Sequence, residues 1–204
     1  LSMFIPFMGN NNLILFTYQR LFATLSQYPI TSINAFNFWG FFGFWKSETS
    51  IIIPPSLVGV LITFVFGIIA SVKLFKQKAG EYPLLMVFLL ANFLFFSRMH
   101  ERHLLPVLAP LTVSAALLVD MLFPLLILSI VYIANLFYSY IWITKNFQNV
   151  FSEGFIKAII FVNLVSFFYL LFKLGKLNSA KIGLSTLLEK VMDYWKKFKE
   201  GGKY

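Results

Sequence analysis

A polytopic bundle of transmembrane α-helices is the all-α fold class this sequence predicts, and composition, segmentation and periodicity each lead to it. Of the 204 residues, 59% are hydrophobic and 12% charged, against roughly 45–50% and 25% in soluble domains. Mean hydropathy is +0.79. So few charges cannot cover a water-soluble protein of this size, so the excess Leu, Ile and Phe must face lipid. Polar residues cut the apolar sequence into stretches of helix length, and none of them alternates with the period of 2 that a membrane β-barrel requires. Lipid cannot satisfy backbone N–H and C=O groups, which leaves helices. With no cysteine, disulfides, thiolate metal sites and cysteine nucleophiles are excluded.

The elements follow in order. The apolar run from Leu1 to Met8 is shorter than the ~20 residues a span needs and lacks the basic leader of a signal peptide. It reads as the tail of a helix that begins upstream, and the chain as the C-terminal part of a longer protein. Residues 9–50 form an outside loop rich in aromatic residues, among them Phe16, Tyr18, Phe22, Phe36, Phe38, Trp39, Phe41, Phe44 and Trp45. Such rings favour the headgroup region, so the loop is expected along the outer membrane surface. Within it Leu13 to Ser26 reads as an interfacial helix, with Leu15, Phe22 and Leu25 near one face. An aromatic belt and a substrate-binding loop would share this composition, and both stay open.

About five full spans follow, after the end of the truncated one: Ile51 to Val72, Tyr82 to Ser97, Leu104 to Val119, Met121 to Ile143 and Phe155 to Phe172. Residues 1–182 thus make the transmembrane domain. Residues 183–204 read as a basic amphipathic helix on the cytoplasmic face, opened by a capping box at Thr186-Leu-Leu-Glu189. Five alternating spans put Lys73, Lys76 and Lys78 on the side of Lys173, Lys176, Lys181 and the lysine-rich tail, which the positive-inside rule places in the cytoplasm. The net charge of +9 is then a topology signal. No recognition fold groups the basic residues, so no nucleic-acid partner is expected.

One stretch concentrates the chemistry. Ser97-Arg98-Met99-His100-Glu101-Arg102-His103-Leu104-Leu105-Pro106 holds both histidines and three further ionisable residues. The apolar arms flanking it, about 16 residues or roughly 24 Å each, fall short of the ~30 Å hydrocarbon core. The cluster is therefore expected in a recess just below the outer surface, where ionisable groups usually mark function. On a helix, Arg98 and Arg102 would share one face at i, i+4. Two guanidinium groups side by side call for an anion between them, and a phosphate suits their forked donors. Glu101 is a candidate internal partner. His100 and His103 with one Glu are a weak metal signature, and the set calls for no cofactor. The competing reading is an ordinary turn with solvated charges.

Two segments resemble bacterial GPI-mannosyltransferase-like membrane glycosyltransferases of the GT-C superfamily. Arg98-Met-His-Glu-Arg-His-Leu-Leu-Pro106 is similar to their Arg-Met-His-Glu-Arg-Tyr-Leu-x-Pro motif, with His103 where the family carries Tyr. Tyr28-Pro-Ile-Thr-Ser-Ile-Asn34-Ala-Phe-Asn37-Phe-Trp39 is similar to their Tyr-Pro…Asn-Ala-Phe-Asn-Leu-Trp loop. The resemblance implies a GT-C-like C-terminal half that transfers a hexose, mannose by the family name, from a polyprenyl-phosphate-linked donor at the outer face of a bacterial plasma membrane. It implies a donor-phosphate site at Arg98, His100 and Arg102, supported by Glu101 and His103. Acceptor or sugar contacts would come from Tyr28, Asn34, Asn37 and Trp39. The catalytic base would lie upstream of Leu1, so no catalytic residue is assigned within the chain. A transporter or flippase of a lipid-linked or anionic solute is the rival, although transporters usually hold their sites at the midplane on broken helices. A membrane scaffold subunit would leave the cluster unexplained.

Overall fold

The computed structural model describes residues 2–26, 29–48, 53–74, 80–174 and Met192. Most of the amphipathic segment expected over 183–204 lies outside the described residues, as do Tyr28 and the lysines at 76, 78, 176 and 181. The chain opens with a 3-10 helix at Ser2–Phe7, not an α-helical tail. Helix α1 (Leu13–Ser26) follows with the bounds expected of the interfacial helix. Asn12 caps it, its side-chain oxygen accepting from the Ile14 and Leu15 N–H groups at 3.0 and 3.2 Å. Ile14, Tyr18, Leu21 and Phe22 stand exposed along it, which suits a helix lying at a lipid boundary.

The bundle is made by α2 (Pro55–Leu74), α3 (Glu81–Phe95), α4 (Leu105–Leu117), α5 (Leu122–Thr144) and α6 (Glu153–Leu174). All five lie where the apolar stretches predict helices. The count of full spans needs correction. Among the described residues, α2, α5 with its preceding 3-10 turn, and α6 are long and apolar enough to cross a membrane. At 15 and 13 residues, α3 and α4 are roughly 22 and 20 Å long and cannot span alone. The three long helices mark the chain as a membrane protein. Their outward faces, with Phe64, Ile68, Ile130, Ile133, Phe161 and Phe168 exposed, carry the apolar surface that lipid would cover.

Successive helices run in opposite directions. Gly59 near the start of α2 lies against the Phe95–Phe96 backbone at the end of α3. At the far end of the bundle Lys173 of α6 bonds Asp120 at 2.6 Å, in the turn between α4 and α5. Met86, Leu90, Leu94, Leu111, Leu128 and Phe167 are fully buried between the helices.

The aromatic loop does not lie along a surface over residues 31–40. Thr31 through Asn37 are buried, and Phe38 is half-buried before the buried Trp39 and Gly40. The segment penetrates the bundle, and its backbone is satisfied by side chains from the helices. Asn135 of α5 donates to the Asn34 carbonyl at 2.6 Å and accepts the Phe36 N–H at 2.9 Å. Asn163 of α6 donates to the Phe36 carbonyl at 2.7 Å. Irregular backbone at membrane depth persists only with such partners. Strand β1 (Ser32–Ile33) then pairs in parallel with strand β2 (Met99–His100), Ser32 opposite Met99 and Ile33 opposite His100.

Candidate functional site

The polar cluster begins where α3 stops. Its end is capped from outside: the Trp39 indole N–H donates to the Phe95 carbonyl at 2.7 Å and the Asn37 amide to the Phe96 carbonyl at 3.2 Å. The chain then turns through Arg98, whose φ of +62° is left-handed, a conformation uncommon outside glycine. Its N–H donates to the Ile30 and Thr31 carbonyls at 3.1 and 3.0 Å, and these bonds with the β1–β2 pairing hold the strained turn.

This geometry overturns the shared helical face. Arg98 precedes a strand, and Arg102 follows it in a 3-10 turn, Glu101–Leu104, so the two do not sit at i, i+4 on one helix. The internal partner also differs. The Arg98 guanidinium donates to Glu48 Oε2 at 2.8 Å, and Glu48 is 6% exposed against 27% for Arg98. The Glu48 N–H is in turn tied to the Pro29 carbonyl at 2.8 Å. Glu101 instead lies 4.0 Å from His100. Arg102 and His103 are exposed, whereas His100 and Glu101 are half-buried.

The histidines are coupled. The His100 backbone N–H donates to His103 Nδ1 at 2.9 Å, which requires that nitrogen unprotonated. Both imidazoles are held below their ordinary pKa of 6.5. For His100 the causes are burial, then the Arg102 charge, opposed by Glu101; for His103 they are burial, then His100 and Arg102, opposed again by Glu101. With Arg98 already engaged, Arg102 is the arginine open to an outside anion. No group of three or more His, Asp and Glu gathers to hold a metal ion among the described residues.

The loop residues assigned to substrate have other partners. Asn34 is 4% exposed, Asn37 fully buried and Trp39 8% exposed. Their polar atoms face protein: Asn34 Oδ1 accepts the Trp45 indole N–H at 3.0 Å and Asn37 Oδ1 the Gly40 N–H at 3.0 Å. They position the motif, and Asn34 also lines a neighbouring cleft between the loop and the ends of α5 and α6. Three contributors escaped the sequence reading. Glu48 is the first acidic residue in the chain, and a lone acid in an aromatic loop signals a buried cation nearby. Asn135 and Asn163 are lone amides in apolar helices, the pattern of an interhelical or loop-supporting bond.

No family model matches the chain, and no curated protein or solved structure matches it.

Proposed function

We propose that this chain belongs to an integral-membrane glycosyltransferase that moves a hexose from a polyprenyl-phosphate-linked donor at the membrane's outer face. The observation that carries the reading is Arg102, an exposed arginine beside His100 and His103 in the turn that joins two helices, α3 and α4, each too short to span a bilayer alone. A lipid-borne phosphate lying at the headgroup level meets such a group directly, and the guanidinium fork matches its oxygens. His100 stands beside it as a further donor. Arg98, held by Glu48, acts through the loop and fixes where Arg102 sits.

Breaking the bond between the sugar and the phosphate leaves charge on the phosphate oxygens. A cation whose interaction strengthens as that charge develops lowers the barrier, and such a donor is worth roughly 10²–10³ in rate. The test is Arg102→Ala in the complete protein, assayed with radiolabelled polyprenyl-phosphate-mannose and polyprenyl-phosphate-glucose. Transfer should fall by about two orders of magnitude at unchanged expression. Near-normal turnover would exclude the phosphate role.

A further inference from the structure

Beside the motif, a concavity of about 550 Å³ opens between the aromatic loop and the facing ends of α5 and α6. That volume lies within the roughly 300–1,000 Å³ of small-ligand sites. Its aromatic walls include Trp45, Trp142 and Phe147, and its polar groups are Asn34, Asn149, Glu153 and Lys157, with Lys46 at the loop side. The Trp45 and Trp142 rings stack at 5.6 Å, and the Phe147 ring meets Trp142 edge-on at 4.7 Å. These rings are fixed in place. The Trp45 N–H donates to the Ser32 carbonyl at 2.9 Å, its indole is held by Asn34 at 3.0 Å, and the Phe147 N–H donates to the Trp142 carbonyl at 2.8 Å. Yet Trp45 is 44% and Phe147 65% exposed, so rigid aromatic surface is left facing the opening.

Backbone strain is concentrated here. The non-glycine residues with positive φ among those described are Asn34, Trp45, Arg98, Asn146 and Phe147, all at this end of the bundle. For bulky Trp45 (φ +61°) and Phe147 (φ +66°) the conformation is a real outlier. Strain of this kind, about 1–3 kcal/mol for each residue, collects at ligand clamps and active sites.

We infer that this cleft is a subsite for a neutral saccharide. A pyranose has a C–H face that lies against aromatic rings, whose faces carry negative quadrupole. Its rim of hydroxyls both donates and accepts, and so requires mixed partners. The cleft supplies them: the Asn149 amide, whose oxygen accepts the Tyr138 hydroxyl at 3.3 Å, and the Glu153 carboxylate, set by Lys157 at 2.6 Å. A purely apolar ligand would strip water from these groups without replacing it. A simple anion meets Glu153, and a quaternary ammonium group meets Lys46 and Lys157. The inference deepens the transferase reading, since a sugar-binding cleft beside a phosphate site would hold the acceptor, but saccharide binding itself does not depend on Arg102.

The full chain in lipid nanodiscs, titrated with methyl mannoside, methyl glucoside and N-acetylglucosamine oligomers under saturation-transfer NMR, provides the test. Saturable transfer to ring C–H protons is expected, weakened about tenfold by Trp142→Leu, which keeps apolar volume and removes the ring face. Should that variant fail to fold, Asn149→Ala, at an exposed position, carries the same expectation. The inference is overturned if none of the saccharides gives a saturable signal, if both variants bind as the parent does, or if phosphocholine or inorganic phosphate binds while saccharides stay silent. Sugar transfer by Arg102→Ala reads the donor phosphate separately, so either reading can fail alone.

Discussion

The Arg98–Glu48 pair offers a direct measure of how the motif is held. At 2.8 Å the gross attraction is about 6 kcal/mol for an effective dielectric near 20, and desolvation of both groups offsets much of it. A net value of roughly 1.5–3 kcal/mol, that of a hydrogen bond to a charged group, is what remains. The two ends should respond unequally, because Glu48 is 6% exposed and Arg98 27%. Arg98→Met strands a buried carboxylate and should cost about 3 kcal/mol. Glu48→Gln keeps an acceptor in place and leaves the arginine partly hydrated, so about 2 kcal/mol is expected. The double variant should be at least 1 kcal/mol more stable than additivity implies. Unfolding in mixed micelles by detergent titration, followed by far-ultraviolet circular dichroism, supplies the cycle. Additivity within ~0.5 kcal/mol would show that the two side chains do not act as a pair.

Two further perturbations test the surroundings of the site. Both imidazoles are depressed below 6.5, so the unfolded chain takes up protons first on acidification. Their contribution is full above about 6.5 and is lost as the pH falls from there towards the lower folded values. The melting temperature should therefore drop below that pH, and less so in a His100→Asn, His103→Asn double variant; an equal drop in both would discount the histidines. At the α2–α3 contact, a Cβ on Gly59 would collide with the Phe95 carbonyl and the Phe96 Cα. Since the obstacle is backbone, Gly59→Ala should cost 1–3 kcal/mol or more and disturb the motif that begins two residues later; an unchanged melting temperature would contradict so close a helix approach.

The helices were legible because apolar stretches bounded by lysines and prolines leave little choice. Pro54 and Pro55 stand at the start of α2, and Lys73 in its last turn. The short arms on either side of the motif were legible too, from residue counts alone. The internal geometry of the motif was not. Extending a helix through Arg98 to Arg102 follows from local spacing, whereas the strand at Met99–His100 exists because a segment more than 60 residues earlier supplies its partner, Ser32–Ile33. Non-local pairing of two residues leaves no periodic trace. The burial of residues 31–40 was hidden for a related reason: Phe36, Phe38 and Trp39 suit a headgroup belt as well as a packed interior. The residues that decide between them, Asn135 and Asn163, lie 99 and 127 residues further along the chain from Phe36.

The short helices and the inserted loop have one physical cause. A helix ending early inside a bundle leaves its last carbonyls without partners and a volume above it unfilled. Here both are met by the loop: Trp39 and Asn37 take the Phe95 and Phe96 carbonyls, and Phe36 with its neighbours fills the space between α5 and α6, its ring 5.4 Å from that of Tyr138. α5 and α6, at 23 and 22 residues, are about 33–35 Å long against roughly 22 Å for α3. A loop without Asn37 and Trp39 would leave the shorter helix uncapped, so the loop and the motif form one structural unit.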